Sequence, residues 1–214
     1  MVKAKVEFDF LLETFKLIWA GKNHPLLQDW LEKEVLRLDE KSENILELFE
    51  PFIEKEIDGW LEEELKMKLI SPILLLSNLN FPNKIGVFYE RQISAKIDEY
   101  LVTVKADCMV SSVFGFTTPK HPYFFMQEFK KSKGDKQDPE GQMLAAMLAG
   151  QHLNNNGKPM YGSYVIGRDW FFSTLHGKEY AKSEALQLTQ PAELRQVILT
   201  LRKLKQIILN DLAD

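Results

Sequence analysis

Tyr123-Phe124-Phe125-Met126-Gln127-Glu128-Phe129-Lys130-Lys131 is the stretch on which the fold turns. Its first residues are apolar on both faces of an extended chain, the pattern of a strand covered on both sides and central in a sheet. The strand then delivers a carboxylate and an ammonium, Glu128 and Lys130. Side chains two apart on a strand share a face, about 6–7 Å apart along the chain. Unpaired charge is costly to bury, so the spacing predicts a strand that leaves the core for a polar cleft and presents both groups there.

Working outward, Asp138-Pro139-Glu140-Gly141-Gln142 opens a helix, with Asp138 as cap, Pro139 in the first turn and small residues following to His152. Strands are expected over 160–166 and 170–175, closed by His176-Gly177, and a final helix from Gln190-Pro191-Ala192-Glu193 with Leu194, Val197, Ile198, Leu201, Leu204 and Ile208 on one stripe. Upstream, 85–97 and 100–113 read as a hairpin turning at Asp98-Glu99, and 114–122 as the loop into the central strand. Asp107 interrupts the β-branched run of the second hairpin strand; aspartate is a poor strand former, so it needs a reason to be there.

The first 80 residues read as helical: 6–20, 26–38, and a longer helix after Ser42 that breaks or kinks at Pro51 and runs to Ser71-Pro72. Carried at 100° per residue through Phe52, Ile53, Ile57, Trp60, Leu61 and Leu65, the stripe takes in Glu64. That acid either faces a site or pairs with Lys68 at i,i+4. Length and an apolar share of 45% predict one α/β domain over 1–214, with a mostly helical part at 1–80, a sheet core with its inserted helix at 85–176 and a C-terminal helix at 190–212. The chain has no apolar run of membrane-spanning length, no signal-peptide pattern at its start, and a single cysteine, Cys108, all of which predict a cytoplasmic protein. One Cys and four His make a Cys/His zinc site a poor fit. Charge is uneven: residues 31–65 hold about 13 acids against about 4 bases, whereas 66–214 hold about 19 bases against about 14 acids.

The order helix, strand, strand with Asp107, strand with Glu128-Phe129-Lys130, helix with Gln142, strand resembles the PD-(D/E)XK nuclease superfamily, with its restriction-endonuclease-like α-β-β-β-α-β core and mixed sheet. The resemblance covers residues 43–176. Glu64-Leu65-Lys66 and Asp39-Glu40-Lys41 repeat the acid-x-Lys triplet, so it is the strand, the upstream acid and the downstream helix that single out Glu128-Phe129-Lys130. Ala106 precedes Asp107 where some members have proline, and Ala146 stands where the RecB-like exonuclease branch has a tyrosine after its glutamine. The resemblance implies catalytic roles for Asp107, Glu128, Lys130 and Gln142, with Glu64 as helix acid and Glu56 and Glu63 as its less favoured alternatives.

It further implies Mg²⁺, with Mn²⁺ as an alternative, held by Asp107, Glu128 and the Phe129 carbonyl. Such a cation takes hard oxygen ligands and usually one or two carboxylates beside waters and phosphate oxygens. Lys131, Lys133 and Lys136 would contact flanking phosphates. The expected partner is nucleic acid, DNA first, in restriction, repair or defence, with a protein partner or a homodimer left open and no membrane. Two other readings remain: a catalytically silent nucleic-acid-binding or protein-interaction scaffold on the same fold, and a hydrolase of small phosphodiesters.

Overall fold

The computed structural model describes residues 2–32, 37–115, 118–131 and 138–213. The chain enters through β1 (Val2–Lys3), α1 (Phe8–Thr14), β2 (Ile18–Trp19) and α2 (Pro25–Leu31). The helix expected over 6–20 is therefore shorter: Lys16 adopts a φ of 52°, which ends α1 and lets Ile18 and Trp19 pair with Glu179 and Tyr180. The helix expected over 26–38 stops at Leu31, and 33–36 lie outside the described residues.

α3 (Glu40–Glu56) is capped by Asp39, whose carboxylate accepts the Ser42 N–H at 3.0 Å. It is not broken at Pro51; the break comes after it, at a 3₁₀ turn over Ile57–Gly59. α4 (Glu62–Leu65) then widens into a π turn over Lys66–Ile70 and continues as α5 (Ser71–Ser77). Proline inside a helix lacks a donor and crowds the carbonyl four residues back. Widening the turn ahead of Pro72 relieves that crowding, so the helix outlasts the stop expected at Ser71-Pro72.

The sheet follows: β3 (Ile85–Ile97), β4 (Tyr100–Phe114), β5 (Thr118–Lys130), α6 (Pro139–Asn154), β6 (Met160–Ile166), β7 (Asp169–His176), β8 (Glu179–Lys182), β9 (Leu186–Gln187) and last α7 (Pro191–Asp211). Residues 118–122, expected in a loop, extend β5 and pair with the end of β4. The sheet order is β1-β4-β5-β6-β7-β8-β2, with β3 on the other edge of β4 and β9 on β7. β5 and β6 are parallel and joined by α6, while β3–β4, β4–β5, β6–β7 and β7–β8 are antiparallel.

This mixed sheet lies between two helical layers. On one face Trp30 of α2, Leu46 and Ile53 of α3, Leu74 of α5 and Leu201 of α7 pack with Phe125, Phe129, Val165 and Phe172. On the other, Leu11 of α1 and Met143 and Met147 of α6 pack with Met126, Tyr164 and Leu175. β5 is enclosed from both sides, as its continuous apolar run requires. The chain is thus mixed α/β, and among the described residues no helix is long and apolar enough to cross a membrane.

Candidate active site

On β4, Val102, Val104 and Ala106 pack on the α6 side, whereas Cys108 and Val110 pack on the opposite side. β3 does the same, with Ile93 and Ala95 on the α6 side and Ile85 and Val87 opposite. The alternation reverses at one facing pair, Glu90 and Asp107, the only gap in an otherwise regular register between Tyr89↔Cys108 and Arg91↔Ala106. Glu90 has a φ of 56°, a left-handed conformation that turns the peptide over and resets which face each side chain meets. Asp107 occupies a strand position where the regular ladder is interrupted, and a poor strand former is tolerated there.

The β4–β5 ladder starts at Cys108↔Gln127, so the next pair would be Asp107 and Glu128. In its place the Asp107 side chain takes over: Oδ2 accepts the Phe129 N–H at 3.0 Å. The N–H and C=O of one strand residue project to the same edge, so the Phe129 carbonyl also faces β4. Glu128 and Lys130 are buried, 2% and 6% exposed, and alternate with Phe129 on the strand. The two carboxyls are close enough to act on each other. Burial first, then the charge of Asp107, push Glu128 up to about 9, with Lys130 pulling the other way. Among the described residues, Glu128 Oε1 has no hydrogen-bond partner.

α4 lies against this end of β5. Glu62 Oε2 is 3.6 Å from Lys130 Nζ, and its Oε1 is 3.2 Å from Lys66 Nζ. Lys66 reaches Asp107 Oδ1 at 3.5 Å and lies 5.9 Å from the centre of the Phe129 ring. Beside it a cleft of about 320 Å³ is lined by Glu63, Lys66, Tyr89, Glu90, Asp107 and Phe129.

Glu64 does not join this group: it accepts from Lys68 at 2.9 Å and from the Leu61 N–H at 3.0 Å. Glu56 accepts from Trp60 Nε1 at 3.4 Å, and Glu63 touches Lys66 at 3.6 Å. Two acids of α4 meet the site: Glu63, an alternative in the sequence reading, lines the cleft, and Glu62, which that reading passed over, contacts Lys66 and Lys130. That reading carried one helical phase through 57–61, where the helix is interrupted. Phased from Leu65 and Leu69 alone, both buried, Glu62 falls on their face. Gln142 sits half-buried in the first turn of α6, its N–H on the Asp138 carbonyl at 2.9 Å. Lys131 is half-buried at the end of β5, and Lys133 and Lys136 lie outside the described residues.

The donors here suit a hard cation: two carboxylates, one with an unpartnered enclosed oxygen, and a carbonyl on the same edge. Among the described residues no three Asp, Glu, His or Cys side chains converge as a metal-binding group. A Mg²⁺ site of one or two carboxylates, completed by water and phosphate, does not require three. Compared with protein-family models and with the curated proteins, the chain matches none of them.

Proposed function

We propose that the chain is a Mg²⁺-dependent nuclease of restriction-endonuclease-like fold that hydrolyses phosphodiester bonds of DNA, with Mn²⁺ able to substitute. One observation carries this: two buried carboxyls facing each other on adjacent strands, Asp107 and Glu128, beside a buried Lys130. Burying such a pair is costly unless something compensates it. A bound Mg²⁺ would supply the compensating charge, polarise the scissile phosphate and acidify an attacking water. Asp107, Glu128 and the Phe129 carbonyl would hold it. Lys130, whose Nζ lies 3.6 Å from Glu62, would orient the water and offset charge developing on the phosphate oxygens.

The test is cleavage of linear and circular, single- and double-stranded DNA and of RNA, in Mg²⁺, Mn²⁺ and EDTA. Cleavage of DNA that EDTA abolishes is expected; cleavage that survives EDTA overturns the mechanism. A second reading has its own support: Lys66 already neutralises Asp107, as in a scaffold that has no use for a cation. Tight binding of nucleic acid or protein by a wild type that cleaves no substrate would favour it.

A further inference from the structure

Lys66 touches Asp107, and the proposed chemistry assigns it no task. Its ammonium stands among four carboxylates: Glu62 and Glu90 at 3.2 Å, Asp107 at 3.5 Å and Glu63 at 3.6 Å. Two other ammoniums help, Lys105 on Glu90 and Lys130 on Glu62. Among the described residues, four carboxylates therefore share three ammoniums, and a negative charge is left over before Glu128 is considered.

Lys66 can give up Asp107 without losing all of its partners. Glu62 and Glu90 lie closer to Nζ than Asp107 does, so an ammonium that releases Asp107 remains paired. Lys66 sits in a π turn, a local widening of the helix that often occurs at functional positions.

We propose that Lys66 is a positioning residue of the cation site, holding Asp107 as its counter-ion and competing with the divalent cation for it. The proposal rests on reading Asp107 and Glu128 as a cation site. Lys66 then sets the affinity of that site: the cation must displace an ammonium before it gains Asp107. An empty site is thereby kept from exposing an uncompensated carboxylate pair, and occupancy depends on the free cation concentration.

The experiment is calorimetric Mn²⁺ titration of the whole chain without nucleic acid, at neutral pH, for wild type, Lys66→Met, Lys66→Arg and Asp107→Asn. Met keeps an apolar stem over Phe129 and removes the charge. A unit charge this close makes about a tenfold or larger gain in Mn²⁺ affinity the expected result for Lys66→Met. Lys66→Arg should bind as wild type does, and Asp107→Asn should not bind. Equal or weaker binding by Lys66→Met, with binding still lost in Asp107→Asn, overturns the competition and leaves the cation site standing. Mn²⁺ binding by none of the proteins overturns both. Should Lys66→Met fail to melt cooperatively, Lys66→Gln replaces it under the same criteria.

Discussion

Glu128 is the residue whose environment departs furthest from what its chemistry prefers. Burial and the neighbouring Asp107 charge move its pKa from 4.5 to about 9. Over that window the folded protein keeps a proton that the unfolded chain releases, so stability falls as pH rises, by up to about 1.4 kcal/mol per pH unit. Melting in EDTA between about pH 5 and 9 should show this slope in wild type relative to Glu128→Gln, and saturating Mg²⁺ should flatten it. A difference between the two proteins that does not vary with pH would remove Glu128 as its source. For activity, Asp107→Ala and Glu128→Ala should abolish Mg²⁺-dependent cleavage, since each leaves one charged ligand. Lys130→Ala should keep Mn²⁺ binding and lose about 10²–10³-fold in rate, roughly 2.7–4 kcal/mol. A Glu128→Ala protein cleaving at the wild-type rate would falsify the catalytic assignment.

Among the elements, α6 ties the site to the rest of the fold through its first turn. Asp138 accepts the Gly141 N–H at 2.8 Å and, across to α1, the Phe8 N–H at 2.7 Å. Glu140 accepts from Tyr164 and Tyr180 at 3.0 Å each and from Lys182 at 2.7 Å, joining the helix to β6 and β8. Tyr164 is registered directly beside Glu128 on the neighbouring strand, so this anchor adjoins the proposed chemistry. Asp138→Ala should cost about 1–2 kcal/mol as a lost cap. Gly141→Ala should cost at least as much, about 1–3 kcal/mol, because a Cβ there would meet the Val6 carbonyl at 2.4 Å and the Phe8 nitrogen at 2.7 Å. Gly162→Ala meets only methionine sulfurs and methylenes, at 2.5 Å and beyond, which can swing aside. Denaturant unfolding should therefore rank Gly141→Ala as the more damaging of the two, and the reverse order would contradict the backbone contact.

At the scale of the molecule, the acidic N-terminal helices are docked by arginines from elsewhere: Arg195 on Glu43 and Glu50, Arg202 on Asp39, Arg168 on Asp58. Part of the acidic excess is thus paired within the molecule. DNA binding should then weaken steeply with salt, and Lys131→Ala should lower the slope by about one phosphate contact. Turnover of a small phosphodiester would be nearly insensitive to salt, and finding that would return the function to the small-substrate reading. Much of this fold was legible in advance. β3, β6 and most of β4, β5, α6 and α7 announce themselves through periods of two or 3.6 residues, which are local properties of the chain. The burial of Glu128 and Lys130 was not legible: the strand was expected to leave the core for a polar cleft, and both side chains are instead enclosed. β1, β2 and β8 were not legible: two to four residues are too few to carry a period, and they are strands because an open sheet edge was there to pair with. The sequence by itself determined the central strand with Glu128 and Lys130, and the strand that bears Asp107. Only tertiary packing decided that Glu62 and Lys66, not Glu64, meet them, because the break at 57–61 resets the helical phase and the π turn swings Lys66 to Asp107.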